Sequence, residues 1–373
     1  MIPYGHQWID DNDITEVAST LRGDWITTGP KIADFERDLC RYTGSNYAVA
    51  VNSGTSALDI AVQALELPLH AEIITTPFSF AATANAILYH GLTPVFADIT
   101  RDTRNIDPAL VEERVTERTK GIIFVDYAGH PCDISELQAI ARDHDLYLIE
   151  DACHAIGATY RGKKVGNFAD VTVFSFHPVK HITTGEGGAA ITNNPALREK
   201  LQMLRNHGID KSAMGRSGAD SDWAYDIKYL GRNYRMTDFQ AALGISQLKK
   251  LDGFLRRRRE IAGVYREAFQ DLPSAEVPVE RPYVSHAWHL YTILYRGSDR
   301  DAQFRRLRKL GIGVNVHYTP IYRFSYFQER YHISPRMFPV TEEVFSKIMT
   351  VPLFARMHDD EILRVIQAVS APS

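Results

Sequence analysis

Three segments of the chain carry residue types that could act together on one ligand. The first is Asn52-Ser53-Gly54-Thr55-Ser56, set between a run that reads as a strand and one that reads as a helix. The first turn of a helix has unpaired N–H groups and a partial positive charge, so it binds anions, phosphate above all. Gly54 lets the backbone come close, and Thr55 and Ser56 add hydroxyl donors. Taken alone, the segment is better read as an ordinary Ser/Thr N-cap with a tight turn. The second is Ile149-Glu150-Asp151-Ala152-Cys153-His154-Ala155, at the carboxyl end of a strand. Ligands of open α/β sheets sit off that end. The Asp151/His154 pair also suits a metal site, a fragment of a hydrolase triad or a satisfied structural pair. No GxSxG elbow and no HExxH supports hydrolysis.

The third segment is Phe174-Ser175-Phe176-His177-Pro178-Val179-Lys180, followed by His181-Ile182-Thr183-Thr184-Gly185-Glu186-Gly187-Gly188. A lysine beside a loop is ordinarily a solvated charge. With the other two segments the balance reverses. A phosphate cradle, an acid able to face a pyridinium nitrogen and a lysine able to condense with an aldehyde are the parts that pyridoxal phosphate needs.

The elements that must position these residues alternate in type. Tyr47 to Val51, Glu72 to Thr76, Thr93 to Ala97, Gly121 to Tyr127 and Leu146 to Glu150 read as strands. Helical patterns lie between them, at Ser56 to Leu67, Ala81 to His90, 108–118 and 134–144. Short apolar runs rich in β-branched residues, separated by helices, predict a parallel sheet covered on both faces. Val171 to Phe176 and Gly188 to Thr192 add strands, after which Thr237 to Phe254 and the stretch beyond it read as long helices. The basic run Arg256 to Arg259 covers every face of its helix and is followed by Glu260, which makes it a solvated surface rather than a nucleic-acid site. From about residue 275 the pattern turns mixed, with a strand at Leu290 to Tyr295 and a helix at Asp301 to Lys309.

Length and composition agree with such an enzyme. At 373 residues the chain suits roughly two domains of about 150 residues each. We expect a large α/β domain over 1–250 and a smaller α+β domain over 251–373. With 42 basic and 46 acidic residues the net charge is -4, which gives no global attraction to nucleic acid or to an anionic membrane. No run approaches the ~18 apolar residues of a membrane span, and the start of the chain lacks a signal core. The odd set Cys40, Cys132 and Cys153 has neither disulfide nor zinc spacing, so a cytoplasmic protein without a metal is expected.

The chain resembles the DegT/DnrJ/StrS family of nucleotide-sugar aminotransferases, which are fold-type-I pyridoxal phosphate enzymes. The likeness runs from Trp25-Ile26-Thr27-Thr28-Gly29-Pro30 to His317-Tyr318-Thr319-Pro320-Ile321. Ile74 to Asn85, Val125 to Gly129 and Gly244 to Lys250 liken it within the family to the branch that aminates C4 of UDP-sugars toward pseudaminic acid. The resemblance implies that Lys180 holds the cofactor through its amine and, once freed, shuttles a proton. By the same likeness Asp151 keeps the pyridine nitrogen protonated, His154 bonds the phenolic oxygen and Phe80 stacks on the ring. A core aromatic is an equal reading of Phe80. Gly54, Thr55 and Ser175 would hold the phosphate, joined by Asn233 from the partner of a homodimer with shared sites; on its own Asn233 is a turn residue. Tyr4, Asp24, Trp25, Ile26, Thr27, His317, Tyr318 and Tyr322 match regions that line the nucleotide-sugar cleft, although such clusters are as often interface or core.

The implied reaction moves the amino group of L-glutamate to the C4 ketone of a UDP-4-keto-6-deoxy-N-acetylhexosamine. A GDP- or dTDP-linked ketosugar is the alternative substrate. Pyridoxamine-dependent sugar dehydratases of the same fold carry His in place of the lysine, so Lys180 argues against that chemistry. Retention of Lys180, Asp151, His154 and Ser175 argues against a non-catalytic member. Many relatives have Asn after the lysine where this chain has His181, which removes any substrate inference drawn from that Asn.

Overall fold

Alternation along each strand divides the core between two faces of one sheet. The computed structural model describes residues 1–210 and 225–371. The sheet is built from β1 (Tyr47–Val51), β2 (Glu72–Thr75), β3 (Thr93–Phe96), β4 (Thr119–Val125), β5 (Tyr147–Asp151), β6 (Val171–Ser175) and β7 (Gly188–Thr192). Their order is β1-β7-β6-β5-β4-β2-β3. Val49, Ile123, Ile149 and Val173 point to one face, where the helices Gly54–Ala64 and Pro195–Arg205 pack. Ala48, Ala50 and Phe174 point to the other, against Pro30–Thr43 and Asp238–Leu248. Helices thus cover both faces, as a sheet of apolar strands requires.

β2, β3, β4, β5 and β6 run parallel to one another. β7 is antiparallel to both β6 and β1, so the sheet is mostly rather than wholly parallel. The reason lies in the connection. β6 returns to β7 through residues 176–187 with no crossover helix, and a direct return makes neighbouring strands antiparallel. That return carries Lys180, and it leaves the carboxyl ends of β1, β4, β5 and β6 on one edge.

A second core lies around an antiparallel sheet of β8 (Ala275–Glu276), β9 (Tyr291–Tyr295) and β10 (Ile348–Val351). The helix Leu251–Phe269 joins the two cores. Its Leu251, Phe254 and Leu255 pack with the large sheet, and its Ile261, Tyr265 and Phe269 with the small one. The start of the chain belongs to the second core, because Ile2 pairs with Ile312 and is buried beside it.

Three helix expectations change. The stretch 108–118 is helical only over Pro108–Glu112. Thr237 to Phe254 is not one helix: it ends at Leu248, and Leu251–Phe269 begins after Lys250. Lys250 is held by ion pairs to Asp10 at 2.9 Å and Asp13 at 2.6 Å, which ties the break to the first helix, Asp11–Arg22. The arginine run is not wholly solvated either. Arg258 is 1% exposed and donates to the carbonyls of Trp288, His289 and Leu353. Among the described residues no helix is long and apolar enough to cross a membrane.

Candidate active site

The carboxyl edge of the large sheet opens into a cavity of about 560 Å³ that collects all three segments. One end is the start of the helix Gly54–Ala64. Ser53 caps it by accepting from Ser56 N at 3.0 Å, which leaves the amides of Gly54 and Thr55 facing outward. A Cβ on Gly54 would stand 2.9 Å from Ser175 Cβ and 3.1 Å from Cys153 Sγ. Gly188 sits between Val51 and Ser175 in the sheet, and a Cβ there would meet Ser53 O at 2.4 Å and Gly54 N at 2.6 Å. The two glycines therefore let β6, β7 and the helix start converge. Ser175 lies at the end of β6, and its hydroxyl is 3.4 Å from His177 N.

Asp151 ends β5 and is 5% exposed. Its Oδ2 accepts from Thr83 Oγ1 at 2.8 Å, and its Oδ1 from Cys153 N at 3.3 Å. Lys180 lines the same cavity. Burial lowers its pKa from the usual lysine value, while the Asp151 charge pulls it back up. A lysine with that bias gives up its proton more readily and so becomes a nucleophile. Burial and the Asp151 charge push the Cys153 thiol well up, so it stays neutral.

His154 is 5% exposed, and its Nε2 lies 3.1 Å from the Tyr318 hydroxyl. Its Nδ1 is buried with no hydrogen-bond partner. Burial, reinforced by the Lys180 charge, keeps the ring neutral. His317 bonds Thr350 Oγ1 at 2.8 Å through Nδ1, and burial pushes its pKa down to about 3.

These residues fit pyridoxal phosphate. The helix start lacks a Cβ where a phosphate would approach, Asp151 offers a carboxylate, Lys180 an amine, and the unpartnered His154 Nδ1 awaits a polar atom. No group of three or more His, Cys, Asp or Glu side chains among the described residues is arranged to hold a metal ion.

The other expected residues divide by position. Phe80 is 61% exposed on the cavity wall, so it is not a core aromatic. Tyr4, His317 and Tyr318 also line the cavity; Tyr4 is delivered by the hydrogen bond from Leu353 N to its carbonyl. Asp24, Trp25, Ile26 and Thr27 are exposed and lie outside the lining, fastened instead to the helix Asp238–Leu248 through Asp238 N and Thr237. Asn233 is likewise exposed and outside it. Tyr322 is not on the cavity wall. It is 0% exposed, stacks on Phe338 at 4.7 Å and donates to Glu342 at 2.7 Å, so its hydroxyl is already used. His181 turns away and bonds the Ala287 carbonyl at 3.0 Å. Thr83, Glu186 and His289 line the cavity without having been singled out. Thr83 lies inside the Ile74 to Asn85 motif, but nothing in its type or spacing marks it as a partner of Asp151.

Comparison with known proteins agrees with this geometry. Residues 7–370 match the model of the DegT/DnrJ/EryC1/StrS aminotransferase family. The UDP-4-amino-4,6-dideoxy-N-acetyl-beta-L-altrosamine transaminase of Campylobacter jejuni is 41% identical over 335 residues, 88% of this chain and 86% of the relative. The structure of Helicobacter pylori PseC, an aminotransferase of pseudaminic acid biosynthesis, superposes with a TM-score of 0.92 at 35% identity, covering 99% of this chain and 98% of the other. The pyridoxal phosphate form of the sugar aminotransferase Spr1654 from Streptococcus pneumoniae gives 0.92 at 33% identity, covering 99% and 97%. The chain belongs to the DegT/DnrJ/EryC1/StrS aminotransferase family. Its fold is the type I α/β fold of pyridoxal phosphate enzymes, and pyridoxal phosphate is its cofactor.

Proposed function

We propose that this member of the family transfers the amino group of L-glutamate to the C4 ketone of a UDP-4-keto-6-deoxy-N-acetylhexosamine, giving a UDP-4-amino sugar. The observation that carries the reading is the meeting of Lys180, Asp151 and the Gly54 helix start in one cavity. The likeness to the Campylobacter transaminase favours a UDP-sugar over a GDP- or dTDP-linked one.

Pyridoxal phosphate supplies an aldehyde that takes up an amino group and a ring that draws electrons from the adjoining carbon. Lys180 would hold it through its amine, and that amine when free would carry the proton of the donor's Cα. Asp151, its orientation set by Thr83 and Cys153 N, would hold a proton on the pyridine nitrogen. His154 would meet the ring oxygen, Phe80 would cover a ring face, and Gly54, Thr55 and Ser175 would take the phosphate. Tyr4, His317 and Tyr318 border the sugar.

The active unit is a homodimer in which Asn233 reaches the partner's phosphate. In support, the flanking Arg232 and Tyr234 are both braced on Asp59, which presents Asn233 outward. Trp25, at 58% exposure, and Ile26, at 51%, are large apolar side chains left uncovered by a single chain. Asp24 to Thr27 then complete the nucleotide side of the cleft in the dimer. The cofactor-binding domain lies within 1–250 and the smaller one within 251–373, except that Ile2 joins the smaller core and Leu251, Phe254 and Leu255 the larger, with Tyr4 crossing between them. Three free cysteines suit the cytoplasm.

The test is the visible absorbance of the protein with pyridoxal phosphate, before and after L-glutamate. Bleaching with release of 2-oxoglutarate, then recovery on adding the UDP-ketosugar, is the expected sequence. Bleaching followed by recovery with only a dTDP- or GDP-linked sugar would overturn the UDP assignment.

A further inference from the structure

His289 is 4% exposed and lines the cavity, yet its Nδ1 has no hydrogen-bond partner. Buried polar atoms are paired in nine cases of ten or more, roughly, so an unpaired one in a cavity wall marks a place for a ligand atom or its bound water. The ring is not loosely placed. His289 N donates to the Ala128 carbonyl at 2.8 Å, and its own carbonyl accepts from Arg258 at 3.3 Å. Its ring centroid lies 4.4 Å from that of His154. Two neighbouring imidazoles thus reach the cavity, and both have a buried, unpartnered Nδ1. Four charged or titratable groups surround His289: Lys180, His154, His181 and Arg258. Burial and these neighbours keep it neutral, so it carries one N–H and one lone pair for a ligand.

We propose that His289 is a further binding residue of this site, its free imidazole nitrogen meeting a polar atom on the edge of pyridoxal phosphate that faces His154, directly or through one water. Arg258 is the positioning residue behind it, because the guanidinium holds the carbonyls of both Trp288 and His289. The burial of one arginine from a four-arginine run acquires a reason in this way. It anchors the backbone that presents the second imidazole.

Two substitutions separate the ring from the nitrogen. His289→Phe keeps a ring against His154 and lacks the nitrogen, whereas His289→Asn keeps a polar atom near the position of Nδ1 and lacks the ring. The readouts are the thermal midpoint of the protein freed of cofactor and the dissociation constant of pyridoxal phosphate measured from its absorbance. H289F is expected to leave the midpoint unchanged or raise it, since it removes an unpaired buried nitrogen, and to weaken cofactor binding about tenfold. H289N is expected to bind within about threefold of the unsubstituted protein. An H289F protein that binds as tightly as the original overturns the proposal, as does one whose only defect is a lower midpoint. If H289F does not fold, the side-chain ¹⁵N resonances of the unsubstituted protein decide, with those missing from H289N assigned to His289. They are expected to move when pyridoxal phosphate is added, and unmoved resonances would refute the assignment.

Discussion

The Thr83 hydroxyl donates a 2.8 Å hydrogen bond to Oδ2 of Asp151, across 68 residues of sequence. Thr83 stands in the first turn of the helix Ala82–Leu88 and Asp151 at the end of β5. Both are buried, so the bond fixes the carboxylate in the orientation from which it faces the cavity.

Thr83→Val keeps the shape and removes the donor. A hydrogen bond to a buried charge contributes about 1.5–3 kcal/mol, so cofactor affinity should fall about tenfold or more, with transamination slowed in step. Equilibrium titration with pyridoxal phosphate checks this; an unchanged dissociation constant would show that Thr83 does not orient Asp151. Asp151→Asn should be more severe, since it removes the charge itself.

Gly188→Ala would place a methyl group 2.4 Å from Ser53 O and 2.6 Å from Gly54 N. Both contacts are backbone, so the strand and the helix start must separate. Overpacking of this kind costs about 1–3 kcal/mol. The thermal midpoint should drop, and phosphate affinity should drop with it, which is measured by competition between inorganic phosphate and the cofactor.

Beneath the sheet, Asp126 and Glu150 are both fully buried. Burial pushes the Glu150 pKa up to about 7, and burial with the Glu150 charge raises that of Asp126 as well. A carboxyl whose pKa is higher in the folded protein binds its proton more tightly there. Its contribution to stability is therefore complete below the unfolded value and is lost as pH rises toward and past about 7. Glu150→Gln keeps an acceptor for the Thr172 hydroxyl, which donates at 2.7 Å, and cannot ionise. Its midpoint should gain on the unsubstituted protein between about pH 5 and pH 8. A midpoint difference that is flat with pH would refute the shift.

Lys180→Ala should abolish the covalent yellow form and lower turnover by about 10³-fold or more, with the fold retained. Mixed with Asn233→Ala chains it gives a decisive arrangement. A heterodimer of the two keeps one site with both Lys180 and the partner's Asn233 intact, so activity should return to at most half of the original. No return on mixing, with heterodimers demonstrated by mass, would mean that the sites are not shared.

Much of this fold was legible because its signals are local. β1 and β7 fall where the apolar runs place them, and β2 to β6 and β9 differ at their ends by one or two residues, while β8 and β10 were not read as strands. The direction of β7 was not legible. A strand's apolar pattern is the same whichever way it runs, and only the missing crossover between Ser175 and Gly188 makes it antiparallel. The break at Lys250 was not legible for a similar reason, since the carboxylate of Asp13 that holds Lys250 there is more than two hundred residues away.

The site divides in the same manner. Lys180, Asp151, His154, Ser175 and Gly54 were recognisable from residue type beside a strand end, because that edge is where the chemistry of an α/β sheet collects. Tyr322 has the same type and neighbourhood as Tyr318, yet one hydroxyl is taken by Glu342 and the other reaches His154. Sequence by itself therefore determined the family, the strands of the large sheet and the candidate reactive groups, all of which are carried by short spans of chain. Tertiary structure alone decided which side chains face the cavity, what orients Asp151, why Gly188 must lack a side chain, and that His289 stands unpaired beside His154. Those depend on distances between segments far apart in the chain, which no local pattern encodes.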